Sequence, residues 1–439
     1  MYETGWFLAV GTIFVAMGVA SSLFERMPCS TAMFYLAAGF ALGPAGAGLL
    51  ALSITGDAGM LRVVTQVALL VSLFAIGLRL RVPVLDALWG LPLRLGFLAM
   101  IVTVPLLTLA GVGLLHLDWG PALLLAAILA PTDPVLAHDV QVRHPSDLDR
   151  VRFALSGEGG LNDGVALPFV LAGLALCPNS PQDTARVFTA GFLGITAWGI
   201  AGGIAVGALL SWTTTHAVAW LRTRHAQALG LEGFFALGLI ELSYGTAQLL
   251  HTFGFLAVFA AGVTMRRVEH RASGERSAPA AIGTVDPGNI EATAADPQKA
   301  HAYMAESVLG FTIELERIAE MATMMIIGNV LATLPTSLFT WSSAALVVAL
   351  FVVVRPLAVE ASLIGSQASH AQRRLMSWFG IRGIGSFYYL AYALEYGPRA
   401  DVLPLVAPVL AAVTASVVVH GISATPLMNW YQRVRGAAR

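Results

Sequence analysis

Residues Ile128–Ala137 read ILAPTDPVLA, an apolar run interrupted by two prolines, a threonine and an aspartate. Pro131 and Pro134 have no N–H, so the carbonyls of Ala127 and Ala130 lose their helical donors. Ala130 and Asp133, each preceding a proline, are steered toward extended geometry. The run therefore predicts a helix broken near its middle, with free carbonyls, Thr132 and Asp133 at the break. If the run crosses a bilayer, irregular backbone cannot face lipid and must line a cavity. A plainer alternative is a kinked helix whose second half is capped by Thr132 and Asp133. The two are compatible.

The rest of the chain says that a bilayer is the right setting. Of 439 residues 57% are hydrophobic and 12% charged, against about a quarter charged in soluble domains. Mean hydropathy is +0.74. Long apolar runs recur throughout and predict an all-α polytopic membrane protein of about thirteen spans. These cover roughly 5–23, 32–50, 60–79, 91–115, 120–139, 151–176, 187–212, 231–249, 252–267, 309–334, 339–364, 374–396 and 404–427. With the N-terminus outside, three of the 25 Lys and Arg fall outside (Arg62, Arg186, Arg399) and three within spans (Arg317, Arg355, Arg382). The other nineteen fall inside, which fits the positive-inside rule and a cytoplasmic C-terminus. The N-terminus lacks the basic region of a cleavable signal, so the first run is expected to stay as a span. A net charge of −1 gives no nucleic-acid signature, and Cys29 and Cys177 match no disulfide framework or metal spacing.

Two further stretches place polar groups in the oil. GEGGLNDGVA (Gly157–Ala166) carries two carboxylates and an amide in the sixth span. On a helix, Gly159 lies one turn before Asp163 and on its face, where it would leave room for an ion. Glu158 points about 140° away and needs a cationic partner; Asn162 shares its side. SWFGIRGIGSFYYL (Ser377–Leu390) interrupts the twelfth span with glycines around Arg382. Broken helices at corresponding positions of two halves mark a transporter's binding site. Spans 1–6 and 8–13 start on opposite sides, so the architecture predicts two inverted six-helix repeats with discontinuous helices 5 and 12. In this layout a transmembrane domain fills about 1–430. Repeat one covers about 5–176, a linking helix 187–212 and repeat two about 231–427. A mobile cytoplasmic loop is expected at 268–308 and a short tail at 431–439.

APTDPV, SGEGGLNDG, VVVRPLAV and GIRGIGS together resemble the monovalent cation/proton antiporters, in the branch of bacterial NhaP proteins and animal sodium/proton exchangers. The resemblance spans most of residues 5–430. It implies that Asp163 binds cation and proton in alternation, and that Asn162 marks the electroneutral, one-for-one form. Thr132 and Asp133 would line or stabilise the site, Glu158 would pair with Arg355, and Arg382 would offset half-helix carbonyls. The implied function is alternating-access exchange of H+ for Na+, with Li+ or K+ open, in the cell (inner) membrane. A homodimer in the bilayer and no organic cofactor are also implied. The chain departs from many relatives at Glu158-Gly159, where they have Glu-Ser, which puts ion affinity in question. LFAIGLRL (Leu73–Leu80) also lacks the third-span carboxylate of some relatives.

Two rival functions remain at this stage. A cation channel or uniporter could use Asp133 and Asp163 as a selectivity site, although no filter motif is present. An intramembrane aspartyl protease could use them as acid and base. Glu316, Arg317 and Glu320 read as a local ion pair at a span entrance. His138, His144, His225, His270, His301 and His370 read as solvated loop residues rather than a pH sensor. GFALG (Gly39–Gly43) is a small-residue packing signal that would suit a dimer contact.

Overall fold

The computed structural model describes residues 29–83, 85–180, 189–225, 230–274, 276–283 and 290–437, with positions 8, 11, 12, 15 and 19. The predicted first span, 5–23, lies largely outside the described residues. From there the helices are α1 Thr31–Leu42, α2 Ala58–Arg79, α3 Ala87–Leu115, α4 Trp119–Leu129, α5 Arg150–Ala175 and α6 Ala190–His225. They continue as α7 Glu232–Leu249, α8 Gly254–Ser273, α9 Ala300–Thr333, α10 Trp341–Ser362, α11 His370–Trp378, α12 Ile384–Tyr396 and α13 Val406–Ala437. No strand occurs among the described residues. This suits a chain in hydrocarbon, where helices satisfy their own backbone groups.

α2, α3, α6, α10 and the last helix are long and apolar enough to cross a bilayer. Their positions differ. The apolar window of α2 is 72% buried and that of α6 only 17%, so α2 is central and α6 peripheral. α8 packs between them. Close helix crossings are set by glycine. At Gly77 an added Cβ would lie 2.6 Å from the Phe259 carbonyl oxygen, and at Gly262 2.4 Å from that of Phe74.

The GFALG face is used within the chain. A Cβ at Gly39 would lie 2.0 Å from the Met325 carbonyl oxygen, and one at Gly43 2.6 Å from Ala332 Cβ. These glycines seat α1 on α9, so they are not free for a second copy. The 268–308 stretch also differs from the expected loop. α8 runs to Ser273, short helices occupy Ala278–Ile282 and Ile290–Ala295, and α9 starts at Ala300. Buried ion pairs extend the order: Arg266 contacts Glu269 (3.3 Å) and Glu306 (2.8 Å), tying α8 to α9.

α3 and α10 pack against each other, and each contains a π-helical stretch, Arg94–Ala99 and Leu350–Val354. Proline sits beside both, at Pro92 and Pro356. The missing N–H of Pro356 loosens the α-helical ladder ahead of it. The widened turn ends at Arg355, a residue of the site.

Candidate ion-binding site

α4 ends at Leu129, and residues 130–133 are non-helical before a 3₁₀ turn at Pro134–Leu136. Across from it α11 ends at Trp378 and α12 starts at Ile384, with 379–383 non-helical. The two interruptions cross. The Asp133 N–H donates to the Ile381 carbonyl at 2.8 Å.

Asp133 caps this crossing. Its Oδ1 accepts the Val135 N–H (3.1 Å) and its Oδ2 the Ile384 N–H (3.2 Å), so one carboxylate closes the start of both second halves. The opposite ends expose carbonyls. Arg382 donates through Nε to Leu129 O and through Nη1 to Gly380 O. Arg355 makes a two-pronged pair with Glu158, with Nη2 2.8 Å from Oε2. The same Nη2 also donates to Met376 O (2.9 Å) and Phe379 O (3.3 Å). Sequence reasoning gave carbonyl compensation to Arg382 alone; Arg355 shares it.

The sequence gives no hint of a second support from α13. The Arg382 N–H donates to Ser416 Oγ at 2.7 Å. Ser416 Oγ lies 3.1 Å from His420 Nδ1, and His420 Nε2 lies 3.0 Å from Trp378 O. A carbonyl only accepts, so Nε2 donates to Trp378 O, while Nδ1 lies near both Ser416 Oγ and, at 3.0 Å, Ser416 O. No spacing rule links a histidine to a helix end 42 residues away, so only the fold reveals it.

Asp163 sits in mid-α5, 3% exposed. Its backbone carbonyl accepts the Tyr389 hydroxyl. No hydrogen bond reaches its carboxylate among the described residues. Gly385 makes this possible, since a Cβ there would lie 2.3 Å from Asp163 Oδ1. Next to it Asn162 Nδ2 donates to Thr132 Oγ1 (2.8 Å) and more weakly to Thr132 O (3.4 Å). The carbonyl fixes the amide orientation, because only Nδ2 can donate to it. Asn162 Oδ1 is left buried without a partner, as is Ser386 Oγ, one residue after Gly385. Sequence analysis missed Ser386.

Two expectations fail here. Gly159 does not leave an ion-sized space. A Cβ on it would lie 2.4 Å from Pro134 Cδ and 3.2 Å from Thr132 O, so Gly159 lets α5 press against the non-helical break after α4. Glu316, Arg317 and Glu320 form no local pair. Glu316 pairs with buried Arg79 of α2, whose Nη1 also reaches Gln141 (3.0 Å). Arg317 contacts exposed Glu314 at 3.6 Å. Glu320 accepts from Thr31 Oγ1 at 3.4 Å.

Crossed half-helices around a buried carboxylate define a secondary transporter of ions. The sequence pattern of the transmembrane sodium/hydrogen exchangers matches residues 10–284. The chain belongs to the sodium/hydrogen exchanger family, and so to the monovalent cation/proton antiporters. Two structures of the sodium proton antiporter MjNhaP1 from Methanocaldococcus jannaschii share the fold. The one at pH 8 is 17% identical, covering 95% of this chain and 99% of that one, with a TM-score of 0.64. The electron-microscopy structure is 16% identical, covering 96% and 97%, with a TM-score of 0.70. A search of curated protein sequences gave no match. The protein is therefore a multi-pass membrane transporter that exchanges a cation for protons, neither a channel nor a protease.

Proposed function

We propose that this antiporter exchanges one monovalent cation, Na+ first among Na+, Li+ and K+, for one proton, with both competing for Asp163. One observation carries the reading. Of the three carboxylates at the crossing, Asp133 is tied to two N–H groups and Glu158 to Arg355, while the Asp163 carboxylate has no partner among the described residues. An unpaired buried carboxylate is costly, so a bound cation or proton stabilises it. Asn162 Oδ1 offers a neutral oxygen beside it, and Thr132 orients that amide.

Only one charge at the crossing is then free to change, which supports electroneutral exchange. An empty, charged Asp163 disfavours crossing, so each half-cycle carries one cation or one proton. The remaining parts of the reading are a homodimer in the cell membrane, an outside N-terminus and a cytoplasmic C-terminus.

The test uses purified protein in sealed liposomes with an imposed pH gradient. Adding Na+ should dissipate the gradient, with the voltage clamped or free, and Asp163→Ala should lower the rate at least 100-fold. Raising external H+ should raise the apparent KM for Na+ in proportion. A rate that follows voltage overturns one-for-one exchange, and a rate that survives Asp163→Ala overturns the site.

A further inference from the structure

α6 and α8 enclose a second feature, well away from the crossing. A groove of about 450 Å³ lies between them, lined by Leu209, Trp212 and His216 from α6 and by Thr264, Arg267 and Arg271 from α8. These residues recur at helical spacing, so each helix presents one stripe to the groove.

The arginines of this region fall into two groups. Arg266 is wholly buried and held by Glu269 and Glu306; Arg81 holds Glu269; Arg222 holds Glu232 at 3.0 Å. Arg267 is the next residue on α8, with Arg271 one turn on, and among the described residues neither has an ion-pair or hydrogen-bond partner. They face the groove, and no carboxylate lines it. The cavity is thus a concave cationic site with the Trp212 indole N–H as a further donor; His216 uses Nδ1 on the Trp212 carbonyl (2.8 Å), which leaves Nε2 as an acceptor for a headgroup hydroxyl.

The groove has one apolar exit. Along α6 the side chains of Leu193, Ile204, Leu209 and Trp212 are exposed, Leu209 by 62% and Trp212 by 50%. α6 is a membrane-spanning helix whose end carries Arg222, Arg224 and His225. The groove therefore sits where apolar helix surface gives way to charge. That is the level of lipid phosphates, and tryptophan favours it.

We propose that this groove binds the phosphate headgroup of an anionic phospholipid. Arg267 and Arg271 hold the phosphate, Trp212 and His216 hold the glycerol edge, and an acyl chain lies along the exposed face of α6. The shared chemistry is a phosphate ester. The apolar exit makes a lipid rather than a soluble phosphate its source. The inference rests on the membrane-spanning reading of α6 and is independent of the role of Asp163.

The test takes the full chain in an uncharged detergent and measures bound lipid by native mass spectrometry and thermal stability by unfolding. The probes are dioctanoyl phosphatidylglycerol, dioctanoyl phosphatidylcholine and inorganic phosphate. Phosphatidylglycerol should bind and raise the apparent Tm, since a ligand of the folded state stabilises it. Arg267→Gln/Arg271→Gln should weaken that binding at least tenfold, and Arg374→Gln, an exposed arginine elsewhere, should leave it unchanged. If the double variant does not fold, Arg271→Gln alone should weaken binding measurably. Equal binding of phosphatidylcholine, or binding that survives the arginine substitutions, overturns the proposal. An arginine-dependent shift with inorganic phosphate as strong as with phosphatidylglycerol overturns the lipid source. Cation exchange by the double variant in liposomes of neutral lipid separates a failure here from a failure at Asp163.

Discussion

Buried arginines do different work in two regions of this molecule. Where α8 meets α2 and α9, Arg81 and Arg266 are matched to Glu269 of α8 and Arg266 also to Glu306 of α9. At the crossing of the interrupted helices they are turned largely onto backbone: Arg382 onto Leu129 O and Gly380 O, Arg355 onto Met376 O and Phe379 O as well as Glu158. The first arrangement neutralises charge with charge and fixes helix positions, its carbonyl contacts (Arg266 to Leu78 O, Arg81 to Gly274 O and Arg276 O) coming on top of matched carboxylates. The second neutralises the carbonyl ends of broken helices and, among the described residues, leaves one carboxylate, Asp163, with neither a cation nor an N–H donor. The proposed exchange at Asp163 requires this difference, since a site that releases its ion cannot hold a permanent counter-ion for the carboxylate.

Glu158→Gln is the most severe test of the contrast outside Asp163. It leaves Arg355 charged and buried with neutral acceptors only, and breaking such a pair costs about 3–5 kcal/mol. The variant should unfold at markedly lower temperature in detergent and lose most exchange. Arg355→Gln should resemble it. A Glu158→Gln protein of wild-type stability would mean that the carbonyls of α11, not Glu158, are the main partners of Arg355.

His420→Ala comes next. It removes the donor to Trp378 O and the ring nitrogen beside Ser416, and a buried group left unsatisfied costs about 1–3 kcal/mol. The expected outcome is a moderate fall in stability with a lower maximal rate and little change in KM for the cation, because His420 holds the end of α11 rather than the ion. His420→Gln, which can still donate, should recover part of the rate. A large change in KM would place His420 in contact with the ion path instead.

What could be read in advance divides along similar lines. The breaks at Pro131, Pro134 and around Gly380–Gly385 were legible because lost N–H donors and weak helix propensity act within a few residues. Asn162-Asp163 stood out because charge in an apolar run is costly. Gly159 was misread because sequence shows that a side chain is missing but not what fills its place; Pro134 does. GFALG marked a close approach without naming the partner, which is α9. Arg79 closes the predicted span 60–79, and nothing near it in sequence points to its partner Glu316, 237 residues away. Ser416 and His420 gave no signal, since a hydroxyl and an imidazole in an apolar helix fit many roles.

Glu306→Gln is the mildest test and bears on the other side of the comparison. Glu306 is 25% exposed and shares Arg266 with Glu269, which is buried and keeps its own contact. Removing one of two carboxylates from a partly solvated pair should cost no more than about 1 kcal/mol. Exchange rate, KM and voltage insensitivity should all stay at wild-type values, because no backbone carbonyl of the crossing depends on Arg266. Arg266 instead donates to Leu78 O at 2.6 Å, at the end of α2. A Glu306→Gln protein with normal stability but altered exchange would show that the α8–α9 ion pairs move during transport. The separation between a fixed charge belt and a working crossing would then fail, and the tie between α8 and α9 would belong to the mechanism.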